Sequence, residues 1–219
     1  MHVDEMVLYS YFRSSCSYRV RIALNIKKLS YRYVPVHLLN EGGEQNQSDF
    51  RQLNPKGEVP LLTHNGFHLS QSMAILQYIE GLQPDPLLFP SDPKTRAKVF
   101  QFCEIINSGI QPLQNLRVAN KLRNSLKATD QQIQEWVLNW IEKGFVALEE
   151  ILKETAQTYC FGSSLTAADV FLVPQVYSAH RFNIDLSPFP RIEKVSDSAS
   201  KLAAFKSAHP DRQIDAPKA

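Results

Sequence analysis

The residues best suited to chemistry are Ser14-Ser15-Cys16-Ser17, which separate a short apolar run, Met6 to Tyr11, from a segment without glycine or proline. Because serine side chains cap helices, this pattern predicts a helix that begins at the serine-rich segment. Groups at a helix N-terminus experience positive potential, which stabilises a thiolate. The thiolate could belong to Cys16, or to a bound ligand whose sulfur is held by the hydroxyl group of Ser14 or Ser15.

Simpler structural roles are also open for the residues around this helix start. Cys16 fits a small buried hydrophobe in the first helical turn, as free cysteines often are. Arg13, Arg19 and Arg21 add positive charge nearby. Each of these arginines also fits a solvated helix face with no role in chemistry.

A second candidate feature is Val59-Pro60, which lies between a loop and a predicted strand. Proline at the start of a strand often marks a turn or a cis peptide bond. We predict a cis bond here, which would turn the backbone N–H and C=O of Val59 outward to pair with an extended peptide ligand. The alternative is an ordinary proline in an edge strand.

A third candidate feature is Gln71-Ser72, at the start of a helix predicted from Gln71 to Glu80. Free N–H groups and the helix dipole make such a position a carboxylate site. The alternative is that Ser72 only caps the helix. If all three features converge on one end of a sheet, they suit a small peptide with a carboxylate at its amino end and a thiol in its middle.

The elements that position these residues follow from the hydrophobic pattern of the first half. Met6 to Tyr11 and Tyr31 to Val36 are predicted as strands, and the helix between them makes a parallel βαβ unit. A short helix is predicted around Asp49 to Leu53. The Asn65-Gly66 pair then predicts a hairpin, because Asn-Gly supplies the positive φ angles of a type I′ turn. The order β-α-β-(α)-β-β-α is that of a thioredoxin-like domain.

Proline density marks the boundary between the two halves of the chain. Four prolines occur in close succession, at Pro84, Pro86, Pro90 and Pro93. They predict a linker over residues 84–93, between a thioredoxin-like domain over residues 1–83 and an all-helical domain over residues 94–219. The apolar spacing after the linker is helical. Asp211 to Ala219 is predicted to be a polar tail that frays.

Composition bounds the partners of the chain. The 219 residues carry a formal net charge of +2 and no basic run interleaved with aromatic residues, so nucleic acid is not an expected partner. The cysteines and histidines show no metal-ligand spacing, so no metal is expected. The acidic N-terminus is unlike a signal peptide, and no apolar run is long enough to cross a membrane. We therefore predict a cytoplasmic protein without a membrane partner.

Several segments together carry a resemblance to a known family. They are residues 14–24 (SSCSYRVRIAL), Asn54-Pro55 with Val59-Pro60, residues 71–75 (QSMAI), residues 110–116 (IQPLQNL) and residues 172–175 (LVPQ). They resemble the zeta-class glutathione transferases, the class of the maleylacetoacetate isomerases. The resemblance runs from about Leu8 to about Gln213. Tyr18 departs from it, because the family often has tryptophan there.

The resemblance implies a fold, a cofactor and a set of site residues. The fold is the glutathione transferase fold, an α/β thioredoxin-like N-terminal domain followed by an all-α C-terminal domain, and the assembly is a homodimer. Glutathione is the implied cofactor, and its contacts by position are Ser14, Ser15, Cys16, Gln45, Val59, Gln71, Ser72, Gln111 and Asn115. Ser14, Ser15 and Cys16 are the catalytic candidates among them. The arginines we first expect to hold the carboxylates of a substrate are Arg13, Arg19 and Arg181.

The implied activity is the glutathione-dependent cis–trans isomerisation of maleylacetoacetate to fumarylacetoacetate in tyrosine and phenylalanine catabolism. The glutathione sulfur adds to the conjugated double bond, the resulting single bond rotates, and the sulfur leaves. Maleylpyruvate is an alternative substrate, and transfer of glutathione to small haloacids is a possible additional activity. Two rival functions stay open: a glutathione-linked thiol oxidoreductase that uses Cys16, and a glutathione-binding protein without catalysis.

Overall fold

A computed structural model of the chain describes residues 5–217, so the first four residues of the predicted first domain and the last two of the predicted tail lie outside the described part. The contacts divide the chain into two compact units. One contains the residues up to Pro86 together with the C-terminal segment from Leu202, and the other contains Leu87–Lys201. The predicted domain ranges differ from this division at the C-terminus, because residues 202–217 pack with the first unit.

The first unit is built on a four-stranded mixed sheet with the strand order β2-β1-β3-β4. The strands are β1 (Met6–Ser10), β2 (Arg32–Pro35), β3 (Leu61–His64) and β4 (Phe67–Ser70). Strand β1 is parallel to β2 and antiparallel to β3, and β3 is antiparallel to β4. Asn65 and Gly66 both have positive φ in the hairpin turn, as predicted.

Helices complete the first unit and make up the second. They are α1 (Ser15–Ile26), α2 (Ser48–Leu53), α3 (Ser72–Leu82), α4 (Pro93–Glu104), α5 (Leu116–Leu126), α6 (Asp130–Thr155), α7 (Ala167–Arg181), α8 (Pro190–Ser200) and α9 (Ala203–Ala208). Short 3-10 helices lie at Asn40–Gly42, Glu44–Asn46 and Pro210–Arg212, and a π-helix at Ile105–Ile110 continues α4. The predicted α/β first half and helical second half are confirmed.

Helix α1 is the most deeply buried helix of the first unit. Val20, Ile22 and Leu24 are inaccessible to solvent, and α1 packs against both α3 and α9. Its C-terminal end is fixed by Lys27, which forms a 2.5 Å ion pair with Glu80 of α3 and also donates to the carbonyl oxygens of Pro84 and Pro86. A buried amine needs such a set of acceptors, because an unpaired charge away from water is strongly unfavourable.

The C-terminal segment is an ordered part of the first unit. The side chain of Asn25 donates to the carbonyl oxygen of Ala204, and Arg21 Nε donates to that of Ala208 at 3.0 Å. Beyond α9, the Gln213 side chain donates to the carbonyl oxygens of Ser207 and His209. The carboxylate of Asp215 accepts from the N–H of Phe12 and the phenol of Tyr33, so the prediction that the tail frays from Asp211 is wrong as far as Asp215.

The second unit has its core between α4, α6, α7 and α8. Phe102 and Ile106, which follow the proline-rich segment, have no exposed surface and belong to this core. Gly144 of α6 lies so close to the π-helix that an added Cβ would stand 2.2 Å from the side chain of Ile110. In the described part of the chain, no helix is both long and apolar enough to cross a membrane.

The start of α7 is fixed by a buried carboxylate. Asp169 is 1% exposed and accepts hydrogen bonds from the backbone N–H groups of Cys160 and Thr166, at 2.8 and 2.9 Å. The hydroxyl of Thr166 also donates to this carboxylate, in a capping box. Burial raises the pKa of Asp169, and these hydrogen bonds act in the opposite direction.

We expect Asp169→Ala to lower the free energy of unfolding by about 3 kcal/mol, because two buried N–H groups would lose their acceptor. Denaturant titration followed by circular dichroism measures the change. The matched control is Asp185→Ala, which removes an exposed aspartate that accepts from the N–H and hydroxyl of Ser187. Equal midpoints for the two variants would contradict a structural role for the buried carboxylate.

Candidate active site

The turn between β1 and α1 presents the three catalytic candidates. Ser14 is the N-cap of α1, and its side-chain oxygen accepts from the backbone N–H of Ser17 at 3.2 Å. Its own N–H donates to the carbonyl oxygen of Tyr11 at 3.0 Å. A hydroxyl group that accepts one hydrogen bond still has its proton to donate. Ser14 and Cys16 are partly exposed and Ser15 is 8% exposed, so the turn presents the Ser14 hydroxyl and a thiol at its surface.

The side chain of Arg21 forms hydrogen bonds with the backbone of this turn from the interior of the first unit. Its guanidinium is fully buried and donates to Ser10 Oγ, to the carbonyl oxygen of Tyr11 and, at 2.8 Å, to the carbonyl oxygen of Phe12. Desolvation lowers the pKa of Arg21. The alternative of a solvated helix face is therefore wrong for Arg21, because the side chain serves as the donor for the carbonyl groups of the turn.

Arg19 is also fully buried, which corrects two expectations at once. It has no exposed surface, so it is neither a solvated residue nor placed to contact a substrate directly. Its guanidinium donates to the hydroxyl oxygen of Ser72 at 3.1 Å. This hydrogen bond connects α1 to the first residue of α3 and brings two of the predicted features together.

The start of α3 has the geometry of an anion site. Gln71 is the N-cap with a φ of 73°, and its side chain makes no capping hydrogen bond. Ser72 is the first helical residue and not the cap, so the alternative of a plain helix cap does not describe it. Because the first N–H groups of a helix have no partner inside the helix, they are left to bind an anion in front of α3.

The Val59–Pro60 peptide bond is cis, as predicted. The Val59 side chain packs against the cluster of Val36, Phe50 and Leu61. Among residues 5–217, no backbone hydrogen bond engages the N–H or C=O of Val59. The residue therefore offers one donor and one acceptor beside the start of β3.

Gln45 lies in a tight loop between two glycines. An added Cβ on Gly43 would stand 2.4 Å from its side-chain amide, and one on Gly57 would stand 2.9 Å from its carbonyl oxygen. Both glycines have positive φ, so other residues would be strained there. Gln45 Oε1 is buried and has no hydrogen-bond partner within the described residues. A buried acceptor of this kind favours a ligand with a donor group.

The strand register shows that these features share one end of the sheet. Tyr9 near the end of β1 pairs with Leu61 at the start of β3, and Leu61 pairs with Ser70 at the end of β4. The turn before α1, the Val59–Pro60 peptide and the start of α3 therefore lie at the same end of the strands. The three candidate features thus meet at one end of the sheet, which was the condition for binding a small peptide with a thiol.

The remaining predicted residues lie in other places. Gln111 follows the π-helix, with its N–H bonded to the carbonyl oxygen of Ile106, and Asn115 is the N-cap of α5. Arg181 is exposed at the end of α7, with its guanidinium 5.8 Å from the centre of the Phe182 ring. These three residues belong to the second unit. Arg13 belongs to the first, where its guanidinium lies 5.8 Å from the centre of the Phe12 ring.

Comparison with known proteins identifies the family. Residues 4–81 match the glutathione S-transferase N-terminal domain, and residues 117–210 match the glutathione S-transferase C-terminal domain. The chain is 48% identical to a maleylacetoacetate isomerase of Rattus norvegicus, over 99% of this chain and 98% of the relative. The chain belongs to the zeta class of the glutathione S-transferase family. The resemblance stated from the sequence is confirmed.

Solved structures agree with this assignment. The holo structure of a maleyl pyruvate isomerase, a bacterial glutathione S-transferase in the zeta class, aligns with a TM-score of 0.93 and 39% identity, over 96% of this chain and 100% of that chain. A maleylacetoacetate isomerase of Anaeromyxobacter dehalogenans with glutathione bound in the active site aligns with a TM-score of 0.87 and 42% identity, over 98% and 100% of the two chains.

The transferase also contains site residues that the sequence did not single out. Phe12, which precedes the catalytic candidates, has its N–H bonded to the carboxylate of Asp215 at 2.9 Å. Asp215 lies in the segment that was expected to fray, and no local pattern marks a contact across 203 residues. The roles of the individual predicted residues in ligand binding stay predictions.

Proposed function

We propose that this glutathione S-transferase catalyses the glutathione-dependent cis–trans isomerisation of maleylacetoacetate to fumarylacetoacetate. The single observation that carries the proposal is the convergence of the Ser14 turn, the Val59 backbone and the open start of α3 at one edge of the sheet. A chain 48% identical to a maleylacetoacetate isomerase supports the choice of reaction. Three free cysteines are consistent with action in the cytoplasm.

The polar groups of the first unit fit glutathione, a tripeptide with a carboxylate at each end and a thiol in its middle. The N–H and C=O of Val59 suit its peptide backbone, and the start of α3 with Ser72 suits a carboxylate. The unpartnered Oε1 of Gln45 suits a donor group. Bound in this way, glutathione supplies a thiolate that adds reversibly to the conjugated double bond and so allows rotation about it.

The turn before α1 has the task of keeping that sulfur ionised. The hydroxyl groups of Ser14 and Ser15 are the donors closest to the helix start, and the helix dipole adds positive potential. The buried guanidinium of Arg21 adds a full positive charge beneath the turn. Cys16 contributes its own thiol at the same place, but the proposed reaction does not require it as nucleophile.

The substrate carries two carboxylates, and negative charge develops on its carbonyl oxygen during the reaction. Cationic groups and amide donors stabilise such charge. Of the three candidate arginines, Arg19 is buried and Arg13 and Arg181 have accessible surface, and Gln111 and Asn115 supply side-chain amides. We assign these four residues to substrate or glutathione binding as part of the proposal.

The partly exposed thiol of Cys16 supports one rival function, a thiol oxidoreductase that forms a mixed disulfide with glutathione. The other two cysteines, Cys103 and Cys160, have no exposed surface. Burial raises the pKa of Cys160 well above its usual range, which makes it a poor nucleophile. A one-cysteine reaction at Cys16 is therefore the form that this rival would take.

We expect the wild-type protein to isomerise maleylacetone only when glutathione is present. Cys16→Ala should keep clearly measurable isomerase activity, whereas the double variant Ser14→Ala, Ser15→Ala should lose most of it. Removal of the hydroxyl donors raises the pKa of the bound glutathione thiol, so less thiolate exists at neutral pH. The pH–rate profile of the double variant should shift upward, and higher pH should restore part of the rate.

Two results would count against this account. A Cys16→Ala protein that binds glutathione but has no activity would assign the nucleophile to the protein and favour the oxidoreductase. A double serine variant with an unchanged pH–rate profile would leave the helix N-terminus and Arg21 as the activators. Absence of glutathione-dependent isomerisation in the wild type, with glutathione bound, would favour a binding protein without catalysis.

Ser72→Ala should weaken glutathione binding by about 1.5–3 kcal/mol, the usual contribution of a hydrogen bond to a charged group. Titration calorimetry measures the affinity. Ser48→Ala is the matched control, because Ser48 is the first residue of α2 as Ser72 is of α3, and it is exposed. Unchanged affinity in Ser72→Ala would mean that the hydroxyl serves only to bind Arg19.

We also propose that the transferase is a homodimer, as its family membership suggests. The sequence offers Phe100, Phe102 and Ile106, just after the proline-rich segment, as loose support for a dimer. Phe102 and Ile106 are core residues and give no support, whereas Phe100 is half-buried and stacks on Phe89. Large apolar side chains that are exposed include Phe67, Leu82 and Val146. Light scattering at micromolar concentration should give about twice the 24.9 kDa of one chain. A mass equal to one chain would refute the proposal.

A further inference from the structure

The backbone of Phe12 is held on both sides by charged side chains. Its N–H donates to Asp215 Oδ2 at 2.9 Å, and its C=O accepts from Arg21 at 2.8 Å. Hydrogen bonds with one charged partner are about twice as strong as those between neutral groups. Phe12 lies two residues before Ser14, so these two contacts define where the chain enters α1.

Asp215 is itself held in place. Its second carboxylate oxygen accepts from the phenol of Tyr33 in β2 at 2.7 Å. Burial raises the pKa of Tyr33, so the phenol keeps its proton at neutral pH and acts as the donor. The carboxylate therefore connects a strand of the sheet to the turn that carries Ser14.

The segment that carries Asp215 is attached to the same support. Arg21, which binds the carbonyl oxygen of Phe12, also donates through Nε to the carbonyl oxygen of Ala208 in α9. Helix α1 thus binds the C-terminal segment at α9, and the segment returns at Asp215 to bind the turn before α1. The hydrogen bonds from Phe12 to Asp215 and from Arg21 to Ala208 therefore both involve residues after Leu202.

We propose that the C-terminal segment of this chain is a functional part of the glutathione site, and that Asp215 is a positioning residue that fixes Phe12 and, through it, the Ser14 hydroxyl. This inference rests on the proposed function, since it concerns how the sulfur of glutathione is held. A displacement of about 1 Å at a reacting group is enough to reduce a rate roughly hundredfold, so a contact two residues away can affect the chemistry.

The carboxylate of Asp215 acts on the bound thiol either by positioning Ser14 or by its negative charge. The two effects change the pKa of that thiol in opposite directions. A negative charge near the turn disfavours a thiolate, so removal of the charge alone would lower the pKa of the bound thiol. Loss of position moves the Ser14 donor and raises that pKa. Asp215→Asn removes the charge but retains an oxygen that can accept from the Phe12 N–H, whereas Asp215→Ala removes both.

The experiment compares Asp215→Ala, Asp215→Asn and the control Asp211→Ala in the full-length protein. Asp211 lies in the same segment and is exposed, and its carboxylate lies 3.6 Å from Nδ1 of His209. For each variant we measure hydrogen exchange at the Phe12 amide by NMR without ligand, glutathione affinity by calorimetry, and the pH dependence of the ultraviolet absorbance of the bound thiolate.

For Asp215→Ala we expect faster exchange at Phe12, about tenfold weaker glutathione binding, and an upward shift of the pKa of the bound thiol. Asp215→Asn should stay close to the wild type in exchange and affinity, and Asp211→Ala should be unchanged. Should Asp215→Ala fail to fold, Tyr33→Phe, which removes one hydrogen bond to the carboxylate, should show the same changes at smaller size.

Three outcomes overturn the inference. A lower melting temperature with unchanged Phe12 exchange and affinity would make Asp215 a structural residue only. A downward pKa shift of equal size in the alanine and asparagine variants would show that it acts by charge. A wild-type protein that does not bind glutathione would overturn the proposed function and this inference with it. Exchange at the Phe12 amide is measured without ligand, so it still shows whether Asp215 holds Phe12 and separates the two failures.

Discussion

The hydrogen bond from the buried guanidinium of Arg21 to the carbonyl oxygen of Phe12 determines how the candidate site is built. A guanidinium cannot lose its proton under ordinary conditions, so its burial requires oxygen acceptors on every side. Those acceptors come from the end of β1, from the turn, and from α9. Satisfying one buried cation therefore fixes β1, the start of α1 and the C-terminal segment relative to each other.

The choice of neutral acceptors for this cation also matters for the chemistry. Among residues 5–217, Arg21 has no ion pair, and its partners are carbonyl and hydroxyl oxygens. A carboxylate in contact with it would cancel its field at the turn. Dipoles satisfy its hydrogen-bonding groups, and the carboxylate of Asp215, on the other side of Phe12, interacts with the guanidinium electrostatically without a direct contact.

Much of this arrangement was predictable from local sequence. The apolar run at Met6, the serine-rich segment and the Asn65-Gly66 turn each specify a local conformation through short-range sterics and hydrogen bonding, and the structure has the predicted strands, helix start and hairpin. The cis bond at Val59–Pro60 was likewise indicated by proline at a strand start. These features depend on residues within a few positions of each other.

The parts that were missed depend on contacts between residues distant in sequence. For Arg19 and Arg21 the sequence left open a chemical role or a solvated helix face, and it did not predict their burial. That burial depends on acceptors that only the folded chain brings together. Asp215 was assigned to a fraying tail because Asp211 to Ala219 is polar and has no periodicity. A polar terminal segment is ordered when its polar groups form hydrogen bonds with buried donors or acceptors elsewhere in the chain. The sequence of the segment itself does not contain those partners.

Opposite charges on the two sides of Phe12 explain why both the segment and the arginine are needed. Arg21 binds the carbonyl oxygens of Tyr11 and Phe12, and Asp215 binds the Phe12 N–H, which shares a rigid peptide plane with the Tyr11 carbonyl. The two charges are not paired with each other, since each is satisfied by a neutral group of the same residue. A turn whose backbone donor and acceptor are both hydrogen-bonded to charged groups has little freedom to reorient. The proposed role of the Ser14 hydroxyl, to hold a thiolate at a fixed distance, requires such a rigid backbone.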